Sequence, residues 1–214
     1  MAYLIDETYF KRNLYVPNAD DTDREAYQEL QEFIDDKARQ CLKEALGYTL
    51  FNDLDSNITN GNLDTGAPVK WSNLVNGVEY TKDSETYKWE GLLITEGAFK
   101  KSLLANYVFY YWLYENQSTM SGVGEVVLQA KNAISINSSQ RLVSTWNDFV
   151  EMYQGKETKF TKSEYYYRGI KVIDWLGCDT NNHYVSLIKF LSDNEDDYPE
   201  APLKLYNTIN QFGI

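Results

Sequence analysis

The chain has 214 residues, 43% of them hydrophobic and 24% charged, a balance that allows a buried core and excludes global disorder. Its 32 acids against 20 bases give a formal charge of −12, which excludes a protein that grips nucleic acid through a broadly basic face. Eighteen Tyr, nine Phe and five Trp are a heavy aromatic load, suited to contact surfaces as well as to cores.

In chain order, the opening Met1–Glu7 lacks a basic region followed by an apolar stretch, so a signal peptide is not expected. Thr22-Asp-Arg-Glu25 has the form of a capping box, in which Thr and Glu satisfy amides at a helix start. Tyr27, Leu30, Phe33, Ile34, Ala38, Cys41, Leu42, Ala45 and Leu46 then recur at helical spacing, and Gly47 follows as the stop. A short second helix is predicted over Leu50–Leu54. Residues 56–97 are richer in Gly, Asn and Thr, and Asn76-Gly77 is the pair that favours a tight hairpin turn. That segment reads as a β insert packed by Trp71, Tyr80, Tyr87 and Trp89.

Ala98–Glu115 is predicted helical and apolar nearly all round, with Leu103–Tyr114 interrupted only by Asn106. A membrane span needs about 20 such residues, so this is a buried or interfacial helix. Further helices are predicted from Asn137 to Gly155 and from Asn182 to Ser192, with extended segments near 123–136 and 163–176. The fold class is therefore mainly α with β insertions: one domain over 1–214, a helical bundle drawn from about 18–55, 98–118, 137–155 and 182–193, carrying a β-hairpin or small-sheet insert.

Chemical motifs are few. Cys41 and Cys178 cannot make a disulfide framework, and Cys41 lies on the apolar stripe as a buried thiol. His183 stands alone, without partners for a zinc site or a nucleophile elbow to serve. Gly122-Val-Gly124 lacks the third glycine of a dinucleotide loop. Asp53, Asp55, Asn57 and Asp64 occupy calcium-loop positions, but Ile58 stands where the sharp turn needs glycine. No metal or cofactor is expected, and no catalytic residue; an enzyme would have to work through a carboxylate pair that nothing singles out.

The negative charge is localised. Residues 6–55 hold 13 acids and 6 bases, residues 193–200 hold five acids and no base, and the remainder balances at 14 each. A solvated face explains such segments, and so does a surface that repels a polyanion.

The series Trp71…Gly77…Tyr80…Trp89-Glu-Gly-Leu-Leu93, then Ser102–Trp112, Gly122-Val-Gly-Glu125 and Trp146-Asn147, with the ending Asp193–Pro199 and Ile209–Ile214, resembles the head-to-tail connector proteins of tailed phages. The likeness is to the neck or ring adaptors of Bacteroides-infecting, crAss-like phages. It implies a virion structural protein in the neck or tail, made in the bacterial host cytoplasm. It also implies a non-enzymatic homo-oligomeric ring, usually twelve-fold, whose partners are the portal and neighbouring neck or tail rings. DNA would be passing cargo and no membrane would be involved. In that setting Tyr107, Phe109, Tyr110, Tyr111, Trp112 and Tyr114 are candidate core or subunit-interface aromatics, and Asp193, Glu195, Asp196 and Asp197 candidate channel-facing or rim acids. A non-catalytic module binding carbohydrate or a protein through exposed Tyr and Trp is the alternative.

Overall fold

The computed structural model describes residues 3–97, 99–116, 139–155 and 184–210, with the short strands 119–121, 124–126, 166–167 and 170–171. Cys178, His183, Gly122 and most of the two expected extended segments lie outside the described residues. The fold is mainly α with small β inserts. Its helices are α1 (Glu25–Asp55), α2 (Val69–Asn76), α3 (Leu103–Glu115), α4 (Ser139–Gln154) and α5 (Leu187–Asp193). Two single 3-10 turns, Glu7–Tyr9 and Arg12–Leu14, precede them. Strands β1 (Ile58–Thr59), β2 (Asn62–Leu63), β3 (Val78–Lys82), β4 (Glu85–Trp89), β5 (Ile94–Glu96), β6 (Phe99–Lys101), β7 (Thr119–Ser121), β8 (Gly124–Val126), β9 (Tyr166–Tyr167) and β10 (Ile170–Lys171) pair consecutively into antiparallel two-stranded ribbons.

Helix α3 is central and packs against both α1 and α4. It has no polar face through Phe109, and every residue from Leu103 to Phe109 is buried, as a helix apolar all round requires. In α1 the buried positions Leu30, Ile34, Ala38, Cys41, Leu42, Ala45 and Leu46 follow the expected stripe, with Tyr27 and Phe33 half-buried at its margin. The helix axis breaks at Gly47 (φ 74°, ψ 178°), which separates the long expected helix from the short one.

Four expectations are corrected. Thr22 does not cap α1: the N-cap is Arg24, without a side-chain cap, and Asp21 instead accepts from the Asp23 amide (3.2 Å) and Arg24 Nε (3.1 Å). Asn76-Gly77 does not turn a hairpin. Residues 69–76 form α2, Gly77 ends it by donating to Asn73 O (3.1 Å), and the β3–β4 turn falls at Asp83-Ser84. Residues 99–101 are strand, not helix, because β6 pairs with β5 before Ser102 caps α3 through the Leu104 amide (3.1 Å). The last helix begins at Leu187 behind an N-cap at Ser186, later than Asn182.

Two aromatic groups hold the layers together. Trp89 stacks on Phe190 (5.6 Å), which also meets Tyr80 and Tyr198, so the β3–β4 ribbon is fastened to α5. Phe149 of α4 touches Tyr107, Trp146, Tyr153 and Tyr206, joining α3, α4 and the chain's end. That end runs along α4 as an extended strap. Gln154 exchanges two hydrogen bonds with the Tyr206 backbone and Asn147 two with Ile209, all at 2.9 Å. Seven helical residues rise about 10.5 Å, and three extended residues span about 10 Å, so the two side-chain amides match two rungs of the strap.

Candidate functional site

The expected aromatic site divides along α3. Tyr107 and Phe109 are core residues, at 1% and 0% exposure. Tyr110, Tyr111 and Trp112 are half-buried and pack within the subunit: Tyr110 lies 4.6 Å from Trp146, Tyr107 4.9 Å from Tyr111, and Trp112 stacks on Phe109 at 5.9 Å. Tyr114 is 62% exposed and touches only Tyr110 among the described ring pairs (6.4 Å). Of the six, Tyr114 is therefore the one that presents a largely free ring. Trp71, Trp89 and Trp146 are buried, so the platforms that a carbohydrate-type surface could use among the described residues are tyrosines: Tyr15, Tyr48, Tyr114 and Tyr184.

The expected acidic site divides as well. Asp193 is drawn inward: its carboxylate accepts from Lys189 Nζ at 2.6 Å and Tyr80 OH at 2.7 Å, and its side chain is 9% exposed. Glu195, Asp196 and Asp197 are exposed on the turn that follows. That turn is held in shape by Tyr198, a buried residue whose hydroxyl donates to Lys70 O at 2.5 Å and whose ring packs on Trp71 and Phe190.

A second acidic surface runs along α1. Glu25, Glu29, Glu32 and Asp36 are exposed at spacings of four, three and four residues, which places them on one face over about 16 Å. Asp36 pairs with Lys37 at 3.0 Å, while Glu25, Glu29 and Glu32 make no ion pair among the described residues. The sequence showed the charge excess here. The alignment of these acids into a stripe follows from the spacing of four, three and four residues along the helix.

The calcium-loop residues go to other partners. Asp53 pairs with Lys70 (2.7 Å), Asp55 with Arg39 (2.5 Å), Asp64 accepts from Thr59 (3.2 Å), and Asn57 donates to Asp53 O (2.7 Å). Among the described residues no group of three His, Cys, Asp or Glu is arranged for a metal ion. No helix among them is long and apolar enough to cross a membrane.

Glu44 is a carboxyl whose surroundings shift it. Burial raises its pKa, but hydrogen bonds from Lys204 (2.6 Å), Tyr206 and Gln40 outweigh this and hold it below the usual carboxylate value. Burial and the bond to Glu44 push Tyr206 up. A depressed carboxyl stabilises the fold above its unfolded value of about 4.3, and loses that contribution as pH falls through its lower folded value. Acid titration of stability should therefore show a component below pH ~4 that Glu44→Gln abolishes, read from urea midpoints across pH; its size is modest because the group is partly solvated. An unchanged acid limb in the variant would overturn this assignment.

The chain matches no protein-family model, no curated protein and no solved structure.

Proposed function

We propose that the chain is a virion structural protein, one subunit of a ring in the neck of a tailed phage that joins the portal to the tail around a DNA-conducting channel. The observation that carries this reading is the one-sided stripe Glu25, Glu29, Glu32 and Asp36 on α1. Carboxylates along one helical face, three of these four without an ion pair among the described residues, repel a phosphate backbone over about 8 Å at physiological salt. Repeated around a ring, such stripes line a passage or its rim that DNA crosses without adhering.

The order of aromatic and turn residues adds support through its resemblance to connector proteins, and Tyr114 supplies an exposed aromatic of the kind that anchors subunit contacts. A ring subunit needs two different surfaces that meet head to tail and close on themselves. Large packing aromatics and localised charge serve that purpose without any catalytic group.

Native mass determination, first alone and then with the portal from the same genome, tests the reading. Twelve copies of 24.9 kDa give a closed ring of about 299 kDa. The expected result is that ring, or a monomer that joins the portal complex in a fixed ratio. A protein that stays monomeric and ignores the portal overturns the proposal.

A further inference from the structure

Most cations among the described residues have a carboxylate partner. Lys37, Arg39, Lys70, Lys189 and Lys204 all form ion pairs inside the subunit. Lys11, Arg12 and Lys101 have none, and all three line one cleft of about 500 Å³ between the Arg12–Leu14 turn, β6 and α4. Lys100 lines it too, with its ammonium 3.5 Å from Asp6. Asp148 and Glu151 close the α4 side and are engaged in contacts of their own. In a chain of net charge −12, a cleft with three unpaired cations is a local inversion of sign.

The cleft is also built. Arg12 sits at φ 53°, a left-handed conformation that a non-glycine residue adopts only at a cost, and its guanidinium lies 4.4 Å over the Phe99 ring. Arg141 of α4 clamps the same turn, donating to Asn13 O at 2.7 Å and to Tyr15 O at 3.4 Å. The backbone that carries Lys11 and Arg12 is thus fastened to the helix opposite. A site fixed before binding loses less conformational entropy when it is filled.

The same subunit presents the complementary surface elsewhere. Glu195, Asp196, Asp197 and Glu200 are exposed, and none has an ion pair among the described residues. Tyr198 pins their turn to α2 and α5, elements that do not line the cleft. The two surfaces are oppositely charged, largely without ion pairs among the described residues and held on different elements, which is what a heterologous self-contact requires.

We propose that the cleft formed by Lys11, Arg12 and Lys101 receives the acidic turn Glu195–Glu200 of a neighbouring copy, an inference that rests on the ring reading and specifies its subunit-to-subunit contact. The inward pairing of Asp193 leaves the outer four carboxylates of the segment to make it. In this arrangement the turn lies between subunits, and the α1 stripe is the acidic face toward DNA.

Charge reversal tests the contact. Sedimentation velocity at low salt, and portal co-assembly, would be measured for four proteins: wild type, Lys11→Glu with Lys101→Glu, Glu195→Lys with Asp197→Lys, and all four changes together. These sites are exposed, so each protein should keep the wild-type circular dichroism and urea midpoint. Each reversal pair is expected to weaken association by at least about tenfold, and the combined protein to recover to within a few-fold of wild type, because both sides of the contact are then inverted. Wild type that joins the portal and is unaffected by either reversal overturns this contact and leaves the ring reading standing. Wild type that associates with neither itself nor the portal overturns both. Weakening by the cleft reversal alone, without rescue in the combined protein, assigns the cleft to another anion such as a nucleic-acid phosphate and overturns the proposal.

Discussion

Alanine at Gly91 is expected to destabilise the protein by about 3 kcal/mol, by combining backbone strain with a steric clash. The residue has φ 97°, and a Cβ there would stand 2.6 Å from Gly77 N and 2.7 Å from Val75 O. The contact is reciprocal: a Cβ on Gly77 (φ 85°) would stand 2.5 Å from Glu90 O. The two glycines let the chain leaving β4 lie directly on the end of α2. Leu92 N and Leu93 N then reach the carbonyls of Leu74 and Val75 at 3.1 and 2.9 Å, and Trp89 Nε1 also donates to Leu74 O at 2.9 Å. Those carbonyls belong to the last helical turn and would otherwise lack partners. Neighbours that are backbone atoms cannot step aside, so the clash has no inexpensive relief. Gly66→Ala is the matched control, since nothing lies within 4 Å of its added carbon and its φ is not left-handed; its expected effect is within about 0.5 kcal/mol. The check is the urea midpoint of each variant at unchanged m-value. A Gly91→Ala cost no larger than that of Gly66→Ala would show that the two glycines are not in contact.

These glycines also show where the sequence could be read and where it could not. Periodicity carried α1 well, because its buried residues share one stripe and the apolar pattern is a direct image of burial. Asn76-Gly77 was legible as a chain reversal but not as the right one, because a glycine with positive φ serves a hairpin turn and a helix stop equally. Residues 99–101, Phe-Lys-Lys, directly precede the apolar run of α3 and read as its first turn. Their strand pairing depends on β5, a partner that helical periodicity does not register. The strap over α4 was invisible, since Asn147 and Gln154 act through backbone groups of residues 206 and 209, and those bonds impose no side-chain pattern on the tail. The acidic sites were half legible. Composition located the charge, while only the fold showed that Asp193 is consumed by Lys189 and Tyr80. The basic cleft was not legible at all, because its cations come from separated segments that the fold brings together.

Removing the Phe149 ring is expected to cost about 3–5 kcal/mol, the largest effect of any single truncation of an aromatic in α4. Phe149 is 0% exposed, and its ring centre lies 5.0 Å from Tyr107, 5.1 Å from Tyr206, 5.3 Å from Trp146 and 5.4 Å from Tyr153. Those neighbours come from α3, α4 and the strap, and a cavity between three anchored elements collapses poorly. Phe149→Leu refills part of the volume and should recover a large part of the loss. Tyr114→Ala is the informative contrast. Its ring is 62% exposed at the far end of α3, so its removal should change the urea midpoint by no more than about 0.5 kcal/mol. If Tyr114 anchors a subunit contact, the same variant should lose ring or portal assembly while its monomer stays as stable as wild type. The two observables separate the core around Phe149 from the exposed end of α3: Phe149→Ala moves stability, and Tyr114→Ala moves assembly. A Tyr114 variant that loses stability as Phe149→Ala does would place the whole aromatic helix inside one core. One that loses neither would leave the ring contact to the charged surfaces, where the paired reversals read it directly.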